Sequence, residues 1–134
     1  MSEYVTDTHA LYWHLTESSR LSKTVSEIFQ QADAGLHRIF VPGIILIEVV
    51  YLIEKGRVSE TSFETIIKLL NTPDGSYHIA PLDENTARAM FSVPRSGIPD
   101  MPDRIIVATA KSLKLPLITR DEKIIRAKVV PTLW

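Results

Sequence analysis

The sequence contains no cysteine. That excludes a disulfide framework and any thiolate metal centre. It has no long apolar run: the longest near-apolar stretch, Ile44 to Ile53, is interrupted by Glu48 and is too short to cross a bilayer. The opening Met1-Ser2-Glu3-Tyr4-Val5 lacks a basic segment followed by an apolar one, so no secretory leader is expected. No glycine loop of the GxGxxG or GxxxxGK[ST] kind occurs, which argues against a phosphate-cradling nucleotide fold. His9, His14, His37 and His78 show no ligand spacing, so zinc is not expected. Internal repeats, low-complexity tracts and linkers are also missing. A cytoplasmic protein with no membrane contact is the expectation.

What is present suits one domain over residues 1–134, with 45% hydrophobic and 23% charged residues. The net charge of −1 is unevenly spread. Residues 1–94 hold 7 basic and 12 acidic side chains, and residues 95–134 hold 8 and 4. The C-terminal third is therefore the part expected to face a polyanion.

Local patterns alternate between strand and helix. Tyr4–Thr6 reads as a strand ending at Asp7, and Ala10–Leu15 as a short helix. Ser22 caps a second helix with Val25, Ile28, Phe29 and Ala32 on one face, closed by Gly35. Arg38–Val41 is a second strand, stopped by Pro42-Gly43. Ile44–Lys55 reads as a helix apolar on nearly every side, hence buried. Ser59 opens a helix carrying Phe63, Ile66, Ile67 and Leu70. Tyr77–Ala80 is a third strand. Asp83 begins a helix running to about Phe91, and Pro94 to Pro102 form a loop. Asp103–Leu113 is a helix, Leu117–Thr119 a fourth strand, and Val129-Val130 a candidate fifth. This alternation predicts an α/β fold: an open, mostly parallel sheet of four or five strands with helices on both faces. Right-handed crossovers place all the strands' C-terminal ends along one edge, where ligands of such sheets sit.

Four acids fall where that edge is expected. Asp7 follows the first strand and Asp121 the fourth. Each also suits a bland role, Asp7 as a turn residue and Asp121 as a helix cap. Glu48 is different. Its helical neighbours are Ile44, Ile45, Tyr51 and Leu52. A lone carboxylate there must be paired, protonated or metal-bound. Asp103 opens a helix three residues after Asp100, an arrangement that capping also explains. Converging carboxylates repel one another unless a cation compensates, and oxygen-only ligands suit Mg²⁺ or Mn²⁺.

The segments Val5–Trp13, Ile44–Val49, Asp103–Ala110 and Leu117–Ile124, in that order, resemble the PIN-domain family and within it the VapC-like toxins. The resemblance covers essentially the whole chain. It implies a PIN-like domain and metal-dependent cleavage of RNA to products bearing a 5′-phosphate and a 3′-hydroxyl. It also implies restraint by a cognate antitoxin, and a homodimer. By that resemblance Asp7, Glu48, Asp103 and Asp121 are the acidic quartet that holds Mg²⁺ or Mn²⁺. Asp100 matches an additional acid of some relatives. Thr119 resembles a small polar residue near the metal. One departure is the stretch Pro42–Leu46, which lacks the polar residue that many relatives carry before the Glu.

Arg104 and Arg120 flank two of the acids and are candidates for phosphate contacts with an RNA substrate. His9 is a candidate substrate contact. Tyr12, Trp13 and Leu52 are candidate antitoxin contacts if exposed, although simple core packing is the first expectation for each. A catalytically inactive PIN-like RNA- or protein-binding module is the rival reading. It predicts broken acids, whereas all four are intact. A receiver-like signalling domain would need paired acids after the first strand and a lysine after the last, and neither occurs.

Overall fold

A computed structural model describes all 134 residues. Its five strands are β1 (Ser2–Thr6), β2 (His37–Pro42), β3 (Tyr77–Ala80), β4 (Leu117–Ile118) and β5 (Thr132–Leu133). They form one sheet of order β3-β2-β1-β4-β5 in which every pairing is parallel. The helices are α1 (Thr8–Leu15), α2 (Lys23–Asp33), α3 (Gly43–Glu54), α4 (Glu60–Leu70), α5 (Glu84–Ala89), α6 (Met101–Leu113) and α7 (Glu122–Ala127). A 3-10 turn, Met90–Ser92, follows α5.

Parallel strands joined by helical crossovers are covered on both faces. Val5, Ile39, Val41, Leu117 and Ile118 are accordingly buried almost completely. The chain builds outward from β1 through β2 to β3, then returns to lay β4 on the other side of β1. The carboxyl ends of β1 and β4 thus flank the point where the winding direction reverses, the usual place for a ligand crevice.

The structure corrects several expected boundaries. α1 starts at Thr8, two residues before the expected Ala10, because Asp7 caps it. α6 starts at Met101 rather than Asp103, with Asp100 as its cap and Pro102 in its first turn, where a missing N–H costs nothing. The fifth strand is Thr132–Leu133, not Val129-Val130. Backbone pairing decides this: Leu117 N–H donates to Pro131 O at 2.9 Å and Thr119 N–H to Leu133 O at 3.2 Å. Val130 is buried instead by its side chain.

α3 is not buried all round. It packs against β2, α1, α4 and α6 and buries Ile45 and Val49, while Ile47 and Tyr51 remain 53% and 60% exposed. No helix is long and apolar enough to cross a membrane.

Candidate active site

The two strand ends meet through side chains. Asp7 leaves β1 with its backbone still extended and caps α1, its Oδ1 accepting from Ala10 N–H at 2.9 Å. Its Oδ2 accepts from the Thr119 hydroxyl at 2.6 Å. Thr119 lies just past β4, and its Oγ1 also accepts from Asp121 N–H at 3.1 Å. Asp121 in turn caps α7 through Oδ1 on Ile124 N–H at 3.0 Å.

The other acids come from α3 and α6. Glu48 accepts from the Thr8 hydroxyl at 2.6 Å, so the first turn of α1 orients it. Asp100 caps α6 by accepting from Asp103 N–H at 3.0 Å. Capping and facing the crevice are therefore not alternatives. A cap uses one carboxylate oxygen and leaves the other outside the cap.

Asp7, Glu48, Asp100, Asp103 and Asp121 line one open cleft of about 500 Å³, together with Thr8, His9, Trp13 and Arg120. None of the five carboxylates has a basic partner within 4.0 Å; all four ion pairs of the chain lie elsewhere. The electrostatics follow. Burial pushes the Asp7 carboxyl above the ordinary range, against the pull of its hydrogen bonds from Thr119 and Ala10. Burial also raises Glu48, against the hydrogen bond from Thr8, with Asp100 adding to the rise. Asp103 is pushed up to about 7, by burial first and then by the charges of Asp100, Asp121, Glu48 and Asp7.

The remaining sequence candidates divide. Arg120 lines the cleft, its guanidinium carbon 4.7 Å from the centre of the Trp13 ring and 5.8 Å from that of Trp134. His9 lines it too, its ring 5.5 Å from that of Trp13. Thr119 has no exposed surface, so it cannot touch substrate; it holds Asp7 and the Asp121 backbone. Arg104 is turned away. Its Nη2 donates to Val93 O at 2.8 Å and Met90 O at 3.1 Å, and its Nε to Val93 O at 3.1 Å. One residue along a helix is about 100° around the axis, so a neighbour of Asp103 in sequence does not share its face. Trp13 is buried, and Tyr12 and Leu52 are half-buried, the three lining a depression beside the cleft. Thr8 escaped the sequence reading, because nothing in its surroundings points to a carboxylate 40 residues away.

The five carboxylates offer only oxygen donors, which suit Mg²⁺ or Mn²⁺. No three side chains close into a cage around a single point. An open rim of acids nonetheless fits Mg²⁺, which keeps several waters and takes only one or two carboxylates directly. Partly buried carboxylates without a counter-cation are the arrangement that a divalent ion relieves.

Residues 4–130 match the PIN domain family, and the chain belongs to it. Among characterised relatives, ribonuclease VapC22 of Mycobacterium tuberculosis is 26% identical over 124 residues, covering 92% of this chain and 91% of that protein. The fold is shared with VapBC2 from Rickettsia felis bound to a fragment of promoter DNA, at a TM-score of 0.71 and 14% identity, covering 98% of this chain and 97% of that one. DNA-bound VapBC from Salmonella typhimurium also gives 0.71, at 16% identity, covering 99% and 98%. A toxin–antitoxin complex from Klebsiella pneumoniae gives 0.64, at 22% identity, covering 95% and 94%.

Proposed function

We propose that this chain is a metal-dependent endoribonuclease and the toxin of a toxin–antitoxin pair. The observation that carries this is the set of five carboxylates lining one cleft without a basic partner, at the switch point of a PIN-domain sheet. A relative across nearly the whole chain carries the name ribonuclease.

Asp7, Glu48 and Asp103 would hold Mg²⁺ or Mn²⁺, directly or through water. Such an ion acidifies water and neutralises charge on a scissile phosphate. Asp121, with Oδ1 committed to the α7 amide, keeps Oδ2 for orienting the attacking water. Attack in line at phosphorus breaks the bond to the 3′ oxygen, giving a 5′-phosphate and a 3′-hydroxyl. Thr119 and Thr8 fix the Asp7 and Glu48 carboxylates and stabilise their charged forms. Arg120, steadied against Trp13 and Trp134, contacts a phosphate oxygen. A nuclease acting on cellular RNA would work in the cytoplasm.

An antitoxin partner is supported by the complexes that share the fold. A homodimer is supported by apolar side chains left on the surface, of which Phe91 is 95% exposed. Incubating total RNA with the purified protein in Mn²⁺, with a chelator control, tests the activity. Chelator-sensitive fragments that disappear with Asp103→Asn support it, and intact RNA under all conditions rejects it.

A further inference from the structure

Beside the acid cleft lies a second depression, of about 180 Å³, between α1 and the C-terminal end of α3. The two share Thr8, His9 and Trp13 as a common wall. The chemistry changes across that wall. The acid side offers five carboxylates and one arginine. The second offers no acid at all: its remaining surface is Tyr12, Val49, Leu52 and Val58, with Arg20 and Arg57.

Both arginines are exposed, and neither has a carboxylate within 4.0 Å. The guanidinium carbon of Arg20 lies 5.8 Å from the centre of the Trp13 ring, the same ring that steadies Arg120. Trp13 thus joins a cation of the acid cleft to a cation of its neighbour. On the opposite flank of the acids, Lys123 and Arg126 share a hollow with Asp100, Asp103 and Asp121, but Glu122 lies there too and pairs with Arg126 at 3.7 Å. The α1–α3 side is therefore the flank where cations stand free of acids.

A strand entering an acid-lined cleft must be held by cations and apolar surface next to it, because the cleft repels its phosphates. Single-stranded nucleic acid is bound by this combination, with bases against aromatic side chains and phosphates on arginines. We propose that the depression between α1 and α3 is a nucleotide subsite for single-stranded RNA, which seats the residue next to the scissile phosphodiester. Its base lies against Tyr12, Leu52 and Val58, and its phosphate is gripped by Arg20 and Arg57. The adjoining cleft's nuclease role is the reading it rests on, but binding here needs no cleavage.

The test uses the full chain carrying Asp7→Asn, with a fluorescently labelled single-stranded RNA oligonucleotide in Mg²⁺, read by anisotropy across a salt series. Adding Arg20→Gln and Arg57→Gln together is expected to weaken binding about tenfold and to flatten log K against log salt by about 0.7, the share of the one phosphate they grip. Adding Tyr12→Leu instead should weaken binding severalfold with the salt slope unchanged, as loss of a stacking surface does. Circular dichroism and melting curves establish that each variant is folded.

RNA affinity and salt slope indifferent to both arginines would overturn the subsite, as would no RNA binding at all. Variants that keep their RNA affinity but lose a co-purifying protein would overturn it as well, making the depression a protein-docking face. Arginine-dependent binding by a chain that never cleaves RNA would leave the subsite standing and remove only the nuclease reading.

Discussion

The Thr119 hydroxyl, itself with no exposed surface, donates to Oδ2 of Asp7 at 2.6 Å across 112 residues of sequence. Thr119→Val keeps the shape and removes the donor. The Asp7 carboxylate then loses a bond that stabilises its charge, and its pKa rises further. The acid limb of the pH–activity profile should move to higher pH, and stability should fall by about 2 kcal/mol, within the range for hydrogen bonds to charged groups. Thr119→Ser should restore both. A Val variant with an unmoved acid limb would show that this hydroxyl does not tune Asp7.

The metal-free protein should lose stability as pH rises through neutrality. Asp103 has an ordinary pKa of 3.8 and is pushed up to about 7 in the fold. Between those values the folded chain holds more protons than the unfolded one. Its contribution is then complete below about pH 4 and is lost as pH climbs through 7. Asp7 and Glu48 shift in the same direction. Urea unfolding with chelator at pH 5 and pH 8 should give the higher midpoint at pH 5, and Asp103→Asn should narrow the gap. A higher midpoint at pH 8 would contradict this electrostatic picture.

Divalent ions should reverse that loss. An ion that binds only the folded chain stabilises it by about 2.7 kcal/mol at a hundred times its Kd. Millimolar Mn²⁺ at pH 8 should raise the melting temperature by several degrees, and the rise should vanish with Asp7→Asn or Asp103→Asn. Both substitutions should also abolish RNA cleavage while the protein stays folded. A melting curve indifferent to Mn²⁺ would count against metal binding in the cleft.

Arg104 predicts a different outcome from Arg120. Arg104→Met would strand the carbonyls of Met90 and Val93, which now share its guanidinium. Stability should fall by about 2 kcal/mol, with RNA affinity of the folded fraction unchanged. Arg120→Met should do the reverse, weakening RNA binding with little effect on the urea midpoint. Exchanged phenotypes would invert the two assignments.

These contrasts mark what could be read from the sequence. The strand–helix alternation was legible because burial on two faces leaves short apolar runs, and the acids were legible because Asp7 and Asp121 follow strands, Glu48 interrupts an apolar helix and Asp103 opens one. The meeting of Asp7 and Asp121 follows from β1 and β4 being neighbours. The exposed side of α3 was not legible: an all-apolar helix does not declare which face its neighbours cover, and Ile47 and Tyr51 are left to solvent. The fifth strand was misplaced because Val129-Val130 has the hydrophobicity, whereas pairing with β4 is set by backbone register after Pro131. Arg104 misled because adjacency in sequence is not adjacency on a helix.

Asp7, Asp100 and Asp121 each start a helix with one oxygen, which ties the architecture to the chemistry. Asparagine caps a helix about as well as aspartate, whereas alanine forfeits the cap. Swapping one atom, oxygen for nitrogen, is thus the smallest route by which this scaffold could fall silent without losing its shape. A shorter side chain at the same positions would erode the helices along with the reaction.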